Sequence, residues 1–183
     1  MLSLSHLQPD LILGSPILSL TPEVIQQYQL RGLILDVDET LVPLRSAQAS
    51  EELKHWVDRI REVVSIWLVS NNLSETRIST IANFLDLPYI VAARKPSRRN
   101  LRKAADAMNL PVEQVAMVGD RLFTDVLAGN RLGMFTILVE PMVNPTDTVT
   151  SDPARDFEVW LSQFLGVSLS AKQQNLNNHD NSR

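Results

Sequence analysis

LILDVDETL, residues 33–41, runs from an apolar triplet into two aspartates one residue apart and then turns apolar again. With Gly32 in front, the triplet reads as a short strand buried on both faces, since no position in it suits a wet side. A buried strand that ends in Asp36 and Asp38 must stabilise their charge, because an unpaired buried carboxylate is costly. The bland alternative is an acidic turn that only caps the strand. These residues alone leave both readings open, and the rest of the chain decides.

The 183 residues suffice for one domain with a sizeable core and are too few for two ordinary ones. Hydrophobic residues make up 44% and charged residues 21%, the balance of a globular rather than a disordered chain. A net charge of -4 argues against a nucleic-acid partner, which draws a basic excess. The absence of cysteine excludes disulfides, thiolate nucleophiles and zinc-thiolate sites. It suits the cytoplasm.

The N-terminus lacks a basic region, and Pro9, Asp10 and Pro16 interrupt its apolar residues, so it does not read as a secretory signal. No run approaches the length of a membrane span. Residues 1–31 nevertheless carry Leu11-Ile12-Leu13 and Ile17-Leu18-Ser19-Leu20. They are expected to pack on the domain, with peripheral membrane contact as the alternative.

Short apolar runs alternate regularly with amphipathic stretches. Strands are expected at 32–36, 65–70, 89–92, 115–119 and 134–139. Helices are expected to open at Ser50, Ser74 and Ser97, and a short fourth at Thr124-Asp125 that ends near Gly133. A further helix is expected over 153–165, and a disordered polar tail over 167–183. This pattern specifies an α/β fold, a Rossmann-like doubly wound parallel sheet of about five strands, filling 32–166 as one domain.

In such a sheet ligands bind beyond the carboxyl ends of the strands. Asp36 and Asp38 end the first expected strand, and Ser70-Asn71-Asn72 end the second. Lys95 follows the third. Asp120 ends the fourth, with Asp125 five residues on. Asp36, Asp120 and Asp125 at one rim would repel one another without a cation, and an all-oxygen site suits Mg²⁺. Lys95 adds fixed positive charge for a phosphoryl group, and the Ser70 hydroxyl and neighbouring backbone amides can donate to its oxygens. A carboxylate nucleophile would split one hard displacement into two easier ones, with Asp38 placed to move the protons.

The order DVDETL, SNN, KP, GDRLFTD resembles the four motifs of the haloacid dehalogenase (HAD) superfamily across residues 32–139. The resemblance implies Asp36 as nucleophile and Mg²⁺ ligand, and Asp38 as acid/base that lends its backbone carbonyl to the metal. It implies Ser70, Asn71 and Lys95 as the phosphate site, Asp120 as a metal ligand, and Asp125 as support for the metal shell and Lys95. An aspartate two residues after the nucleophile is similar to the phosphatase branch. The gaps 42–69 and 72–94 are each filled by one helix and one strand, so a cap domain is not expected. PDL at 9–11, the segment 17–23, the DxDxTLVP continuation at 36–43 and ARKP at 93–96 further resemble the capless YqeG family. That family is related to phosphatidylglycerophosphate phosphatases. Glu39 stands where asparagine is common and is expected to point beside the site.

The resemblance thus implies an Mg²⁺-dependent phosphate monoesterase acting on a phosphorylated substrate, with a phospholipid at a membrane surface foremost. A soluble phosphatase for sugar phosphates or nucleotides is the enzymatic alternative. A regulatory protein that keeps the fold without turnover is the other. Arg94, Arg98, Arg99, Arg102 and Lys103 add a basic cluster beside Lys95 whose partner the sequence leaves open.

Overall fold

The computed structural model describes residues 4–44, 46 and 48–142. The helix expected over 153–165 and the tail over 167–183 lie outside the described residues. The sheet has six strands rather than five: β1 (Leu11–Ile12), β2 (Gly32–Leu35), β3 (Ser65–Val69), β4 (Tyr89–Ile90), β5 (Val115–Gly119) and β6 (Phe135–Leu138). Their order is β1-β6-β5-β2-β3-β4, and every pairing is parallel. The additional strand comes from the N-terminal segment, where Leu11 and Ile12 pair with Ile137 and Leu138. Two residues are too few to show a strand period, which is why the pattern missed it. The Asp10 carboxylate locks this edge by accepting from the Thr136 backbone N–H and from the Thr136 hydroxyl, both at 2.9 Å.

Side-chain alternation along β2 divides the core in two. Leu33 and Leu35 face a cluster with Ile66, Leu68, Ala116 and Val118, joined by residues of α1 (Pro22–Gln27), α2 (Glu51–Ile60) and α3 (Glu75–Leu85). Ile34 faces the opposite cluster with Val69, Val115 and Met117, covered by α4 (Arg99–Ala107) and α5 (Leu127–Leu132). A strand buried on both faces is the reason the run carries no polar residue until its end. Ile17, Leu20, Ile25 and Leu30 join the first cluster, and the Trp56 indole N–H donates to Leu20 O at 2.8 Å.

Ser50 and Ser74 cap their helices through hydrogen bonds from Leu53 N (3.1 Å) and Arg77 N (3.4 Å). Ser97 stands one residue outside the N-cap position, which Arg98 holds, and its hydroxyl accepts from Arg99 N at 3.5 Å. Its own N–H closes a turn on Arg94 O, and α4 starts two residues later at Arg99. Thr124 and Asp125 do not open a helix either. They lie inside a π turn, Leu122–Val126, that leads into α5, with Val126 N reaching back to Arg121 O. Gly133 ends α5 in the left-handed conformation that glycine tolerates best.

From β2 the chain steps outward through β3 and β4, then returns to the other side of β2 as β5. That reversal opens a crevice at the carboxyl ends of β2 and β5. One helix separates β2 from β3 and one separates β3 from β4, so no cap domain is inserted in either gap.

Candidate active site

All the strand-end residues singled out in the sequence converge on this crevice except one side chain. Asp36 continues β2, its N–H donating to Val118 O on β5 at 2.9 Å. Lys95, almost fully buried, points its ammonium between two carboxylates. Nζ lies 2.6 Å from Asp36 Oδ1 and 2.7 Å from Asp125 Oδ1, and donates to Val69 O at 2.9 Å. The exception is Asn71. Its Oδ1 accepts from Lys95 N (2.7 Å) and its Nδ2 donates to Lys95 O (3.0 Å), so the amide grips the Lys95 backbone instead of facing the crevice. Asn71 is left with a backbone N–H to offer a phosphoryl group. The Lys95-Pro96 peptide bond is cis.

Asp36, Asp120 and Asp125 each bring a carboxylate oxygen to within 4.8 Å of the others. Burial pushes the Asp120 carboxyl up to about 7, and the charges of Asp125 and Asp36 push the same way. Burial also raises Asp125, against the opposing pull of the Lys95 ammonium. On Lys95 the balance is reversed: burial favours the neutral amine, but Asp125 and Asp36 together outweigh it and the pKa rises. The Lys95 ammonium, with the half-exposed Arg121 guanidinium 3.7 Å from Asp120 Oδ2 and shared with Glu39, therefore does not satisfy three carboxylates. A compact, buried, all-oxygen donor set with excess negative charge fits a hard divalent cation of the Mg²⁺ type.

Asp120 is fixed by the Thr40 hydroxyl, which donates to its Oδ1 at 3.0 Å. Asp125 is admitted by Gly119. A Cβ built on that glycine would stand 2.3 Å from Asp125 Oδ2 and 2.5 Å from its carboxyl carbon. The π turn and the glycine thus act together, the turn swinging Asp125 inward and the glycine leaving it room.

Asp38 sits in a different environment, held by a guanidinium, an amide and a hydroxyl. Arg77 on α3 holds its Oδ1 through Nη1 at 2.5 Å, while Asn72 Nδ2 (3.2 Å) and the Ser70 hydroxyl (3.4 Å) hold Oδ2. The same Arg77 donates to Ser46 O (2.8 Å) and Pro43 O (3.4 Å), tying Asp38 to the loop that follows it. That loop doubles back at once, with a bridge between Asp38 and Val42 and with Glu39 at φ 62°. The Glu39 carboxylate turns to Arg121, 2.6 Å from Nη2. The sequence alone assigned no individual role to Thr40, Asn72 or Arg77. The first two sit inside motifs already singled out. Arg77 had only a faint signal, a cation three residues past the Ser74 cap.

A family model described as HAD-hydrolase-like matches residues 92–159. "Probable phosphatase YqeG" of Bacillus subtilis (strain 168) is 36% identical over 135 residues, 73% of this chain and 78% of that protein. The chloroplastic phosphatidylglycerophosphate phosphatase 1 of Chlamydomonas reinhardtii is 29% identical over 97 residues, 52% of this chain and 36% of that protein. Among solved structures, the HAD-hydrolase YfnB of Bacillus subtilis, bound to magnesium, matches with a TM-score of 0.50 at 11% identity. That match covers 75% of this chain and 99% of the other, and it speaks to the fold alone. With its sheet, its strand-end residues and a relative matched over most of its length, this chain belongs to the YqeG family of HAD-type phosphatases.

Proposed function

We propose that this phosphatase cleaves a lipid phosphate monoester, phosphatidylglycerophosphate, through a phosphoaspartate on Asp36. The observation that carries the mechanism is the contrast between two aspartates two residues apart. Asp36 faces an ammonium and two further carboxylates, whereas Asp38 is held by Arg77, Asn72 and Ser70. Paired carboxylates in such unlike settings suit unlike roles.

In the first step a carboxylate oxygen of Asp36 attacks phosphorus, the bond to the ester oxygen breaks, and Asp38 gives its proton to the departing alkoxide. In the second step Asp38 takes a proton from water as that water attacks the phosphoaspartate. Phosphate leaves and Asp36 is regenerated. Lys95, the Ser70 hydroxyl and the Asn71 backbone N–H hold the phosphoryl oxygens through both steps. Asp36, Asp120 and the Asp38 backbone carbonyl would hold Mg²⁺, with Asp125 behind them. When bound, the ion offsets the negative charge that would otherwise repel a carboxylate nucleophile.

Two things support the lipid substrate. A relative in Chlamydomonas reinhardtii is named for phosphatidylglycerophosphate. Among the described residues no cap is inserted between β2 and β3 or between β3 and β4, and a site without a cap suits a head group that stays attached to a bilayer.

Phosphate release from phosphatidylglycerophosphate, a hexose phosphate and a nucleoside monophosphate, with and without Mg²⁺, tests this reading. It predicts Mg²⁺-dependent turnover that favours the lipid by at least about tenfold, a preference worth roughly 1.4 kcal/mol at the transition state. A soluble ester turned over best would replace the substrate. Binding without turnover of any ester would replace the enzyme with a phosphate-sensing protein.

A further inference from the structure

Large apolar side chains rarely stay exposed on a polar enzyme mouth, yet three do so here. Among the described residues, Leu44, Leu73 and Phe123 are 51%, 81% and 49% exposed. A fourth exposed apolar residue, Val63, precedes β3 and so lies at the opposite end of the sheet. The three belong to three separate strand-end loops, and each is tied in sequence to a site residue. Leu44 follows Pro43, whose carbonyl accepts from the same Arg77 that holds Asp38. Leu73 follows Asn72, whose amide donates to Asp38. Phe123 stands in the π turn between Asp120 and Asp125. The topology therefore spaces three exposed apolar groups around the crevice. Exposed apolar residues scattered singly need no explanation, but these three share one end of the sheet and flank one opening.

The charge beside this collar is positive although the chain as a whole carries -4. Arg94, next to Lys95, is exposed, as are Arg98 and Arg99 at the start of α4. Because the segment from β4 to α4 leaves the carboxyl end of the sheet, Arg94 and Arg99 share the rim with the loops. Arg98 instead donates to Arg131 O at 3.1 Å, in the last turn of α5 just before β6, which turns its guanidinium away from the rim. Apolar side chains that could sink among acyl chains, flanked by arginines that could meet lipid phosphates, are the chemistry of an anionic bilayer surface. A protein partner would ask for one continuous patch rather than separate apolar tips around a polar opening.

We propose that Leu44, Leu73 and Phe123 form a membrane-docking collar that seats the crevice on an anionic bilayer, with Arg94 and Arg99 as its electrostatic flank. The proposal rests on the lipid-substrate reading above. The bilayer then supplies the enclosure that a cap would otherwise supply. Specificity lies partly in where the ester is presented, in addition to the contacts made inside the crevice.

Co-sedimentation with vesicles of phosphatidylcholine and phosphatidylglycerol, free of substrate, reads docking apart from catalysis. The full chain is compared with Leu44→Ser/Leu73→Ser/Phe123→Ser, whose melting curve checks the fold. The collar predicts that the wild-type chain sediments with these vesicles and not with pure phosphatidylcholine. In the variant, vesicle affinity and the turnover ratio of vesicle-borne to soluble ester both fall at least about tenfold. Equal sedimentation of both proteins would overturn the collar. So would a wild-type chain that ignores vesicles and forms a dimer that the variant lacks, since the collar would then cover a second copy. Vesicle binding lost in the variant, with phosphatidylglycerophosphate inert even in detergent micelles, would keep the docking surface and remove the substrate. Substrate turned over in micelles with no vesicle binding would do the reverse.

Discussion

Lys95 Nζ stands 2.6 Å from Asp36 Oδ1 while also touching Asp125 at 2.7 Å, so one buried ammonium holds together residues brought from β2 and from the loop after β5. Removing one partner of a buried ion pair leaves the others uncompensated, at about 3–5 kcal/mol. Lys95→Met should therefore lower the stability of the metal-free protein by that order. It should also lower kcat by about a hundred- to a thousandfold, since a fixed charge aimed at the phosphoryl group is lost. Denaturant unfolding and steady-state turnover read the two effects. A stable variant with wild-type kcat would mean that Lys95 neither binds the phosphoryl group nor holds the carboxylates.

Gly119 provides a sharper test of the geometry. A methyl group there would meet the Asp125 carboxylate at 2.3 Å, well inside contact distance. Gly119→Ala should expel Asp125, free one side of Lys95, and reduce both melting temperature and turnover. Wild-type turnover in this variant would show that Asp125 is not needed where it sits.

In the proposed mechanism Arg77 positions Asp38 and does not touch the reacting atoms. It fixes Asp38 and the loop carbonyls of Pro43 and Ser46 at the same time. Arg77→Met should lower kcat by about ten- to a hundredfold, the usual worth of one aligned proton-transfer group, with little change in KM. Arg77→Lys should recover part of the loss through its remaining charge. If both variants lower only the melting temperature, the clamp serves the fold and not the reaction.

Burial raises the Asp120 carboxyl to about 7 in the metal-free protein, and Asp125 shifts in the same direction. Between the unfolded value of 3.8 and about 7, the folded state then holds more protons than the unfolded state. Stability must fall as pH rises through that window, because ionisation is resisted only in the folded chain. Chelator-treated protein should melt at a lower temperature at pH 8 than at pH 5.5, and Asp120→Asn should flatten the difference. Added Mg²⁺ should stabilise more at pH 8, where it no longer competes with the proton. A melting temperature that rises with pH in chelator would contradict the crowded-carboxylate account.

The legible parts were those fixed by local chemistry. Buried strands read as apolar runs, and their ends announced themselves as Asp36, Ser70 and Asp120, because charge placed against an apolar run must serve some purpose. The order of the motifs carried the fold. The illegible parts were set by tertiary context. β1 is two residues long, and its pairing depends on β6 and on the Asp10–Thr136 lock, more than a hundred residues away in sequence. The π turn at Leu122–Val126 shows no distinctive residue pattern, since its purpose is to place Asp125 against Gly119. Asn71 looked like a phosphate ligand because it adjoins Ser70, and only the path of the Lys95 loop reveals what its amide holds. Arg77 was invisible for a related reason: an arginine on a helix face is ordinarily solvated, and the loop carbonyls that recruit it come from a different stretch of chain.

The central claim is that Asp36 carries the phosphoryl group between the two steps. Acid quenching of the protein within one turnover of phosphatidylglycerophosphate or a soluble ester, followed by digestion and mass spectrometry, looks for that group directly. A base-labile phosphate is expected on the peptide that contains Asp36, present with Mg²⁺, absent with chelator, and absent from Asp36→Asn. Phosphate on any other residue, or rapid turnover by Asp36→Asn with no phosphorylated peptide, would contradict it.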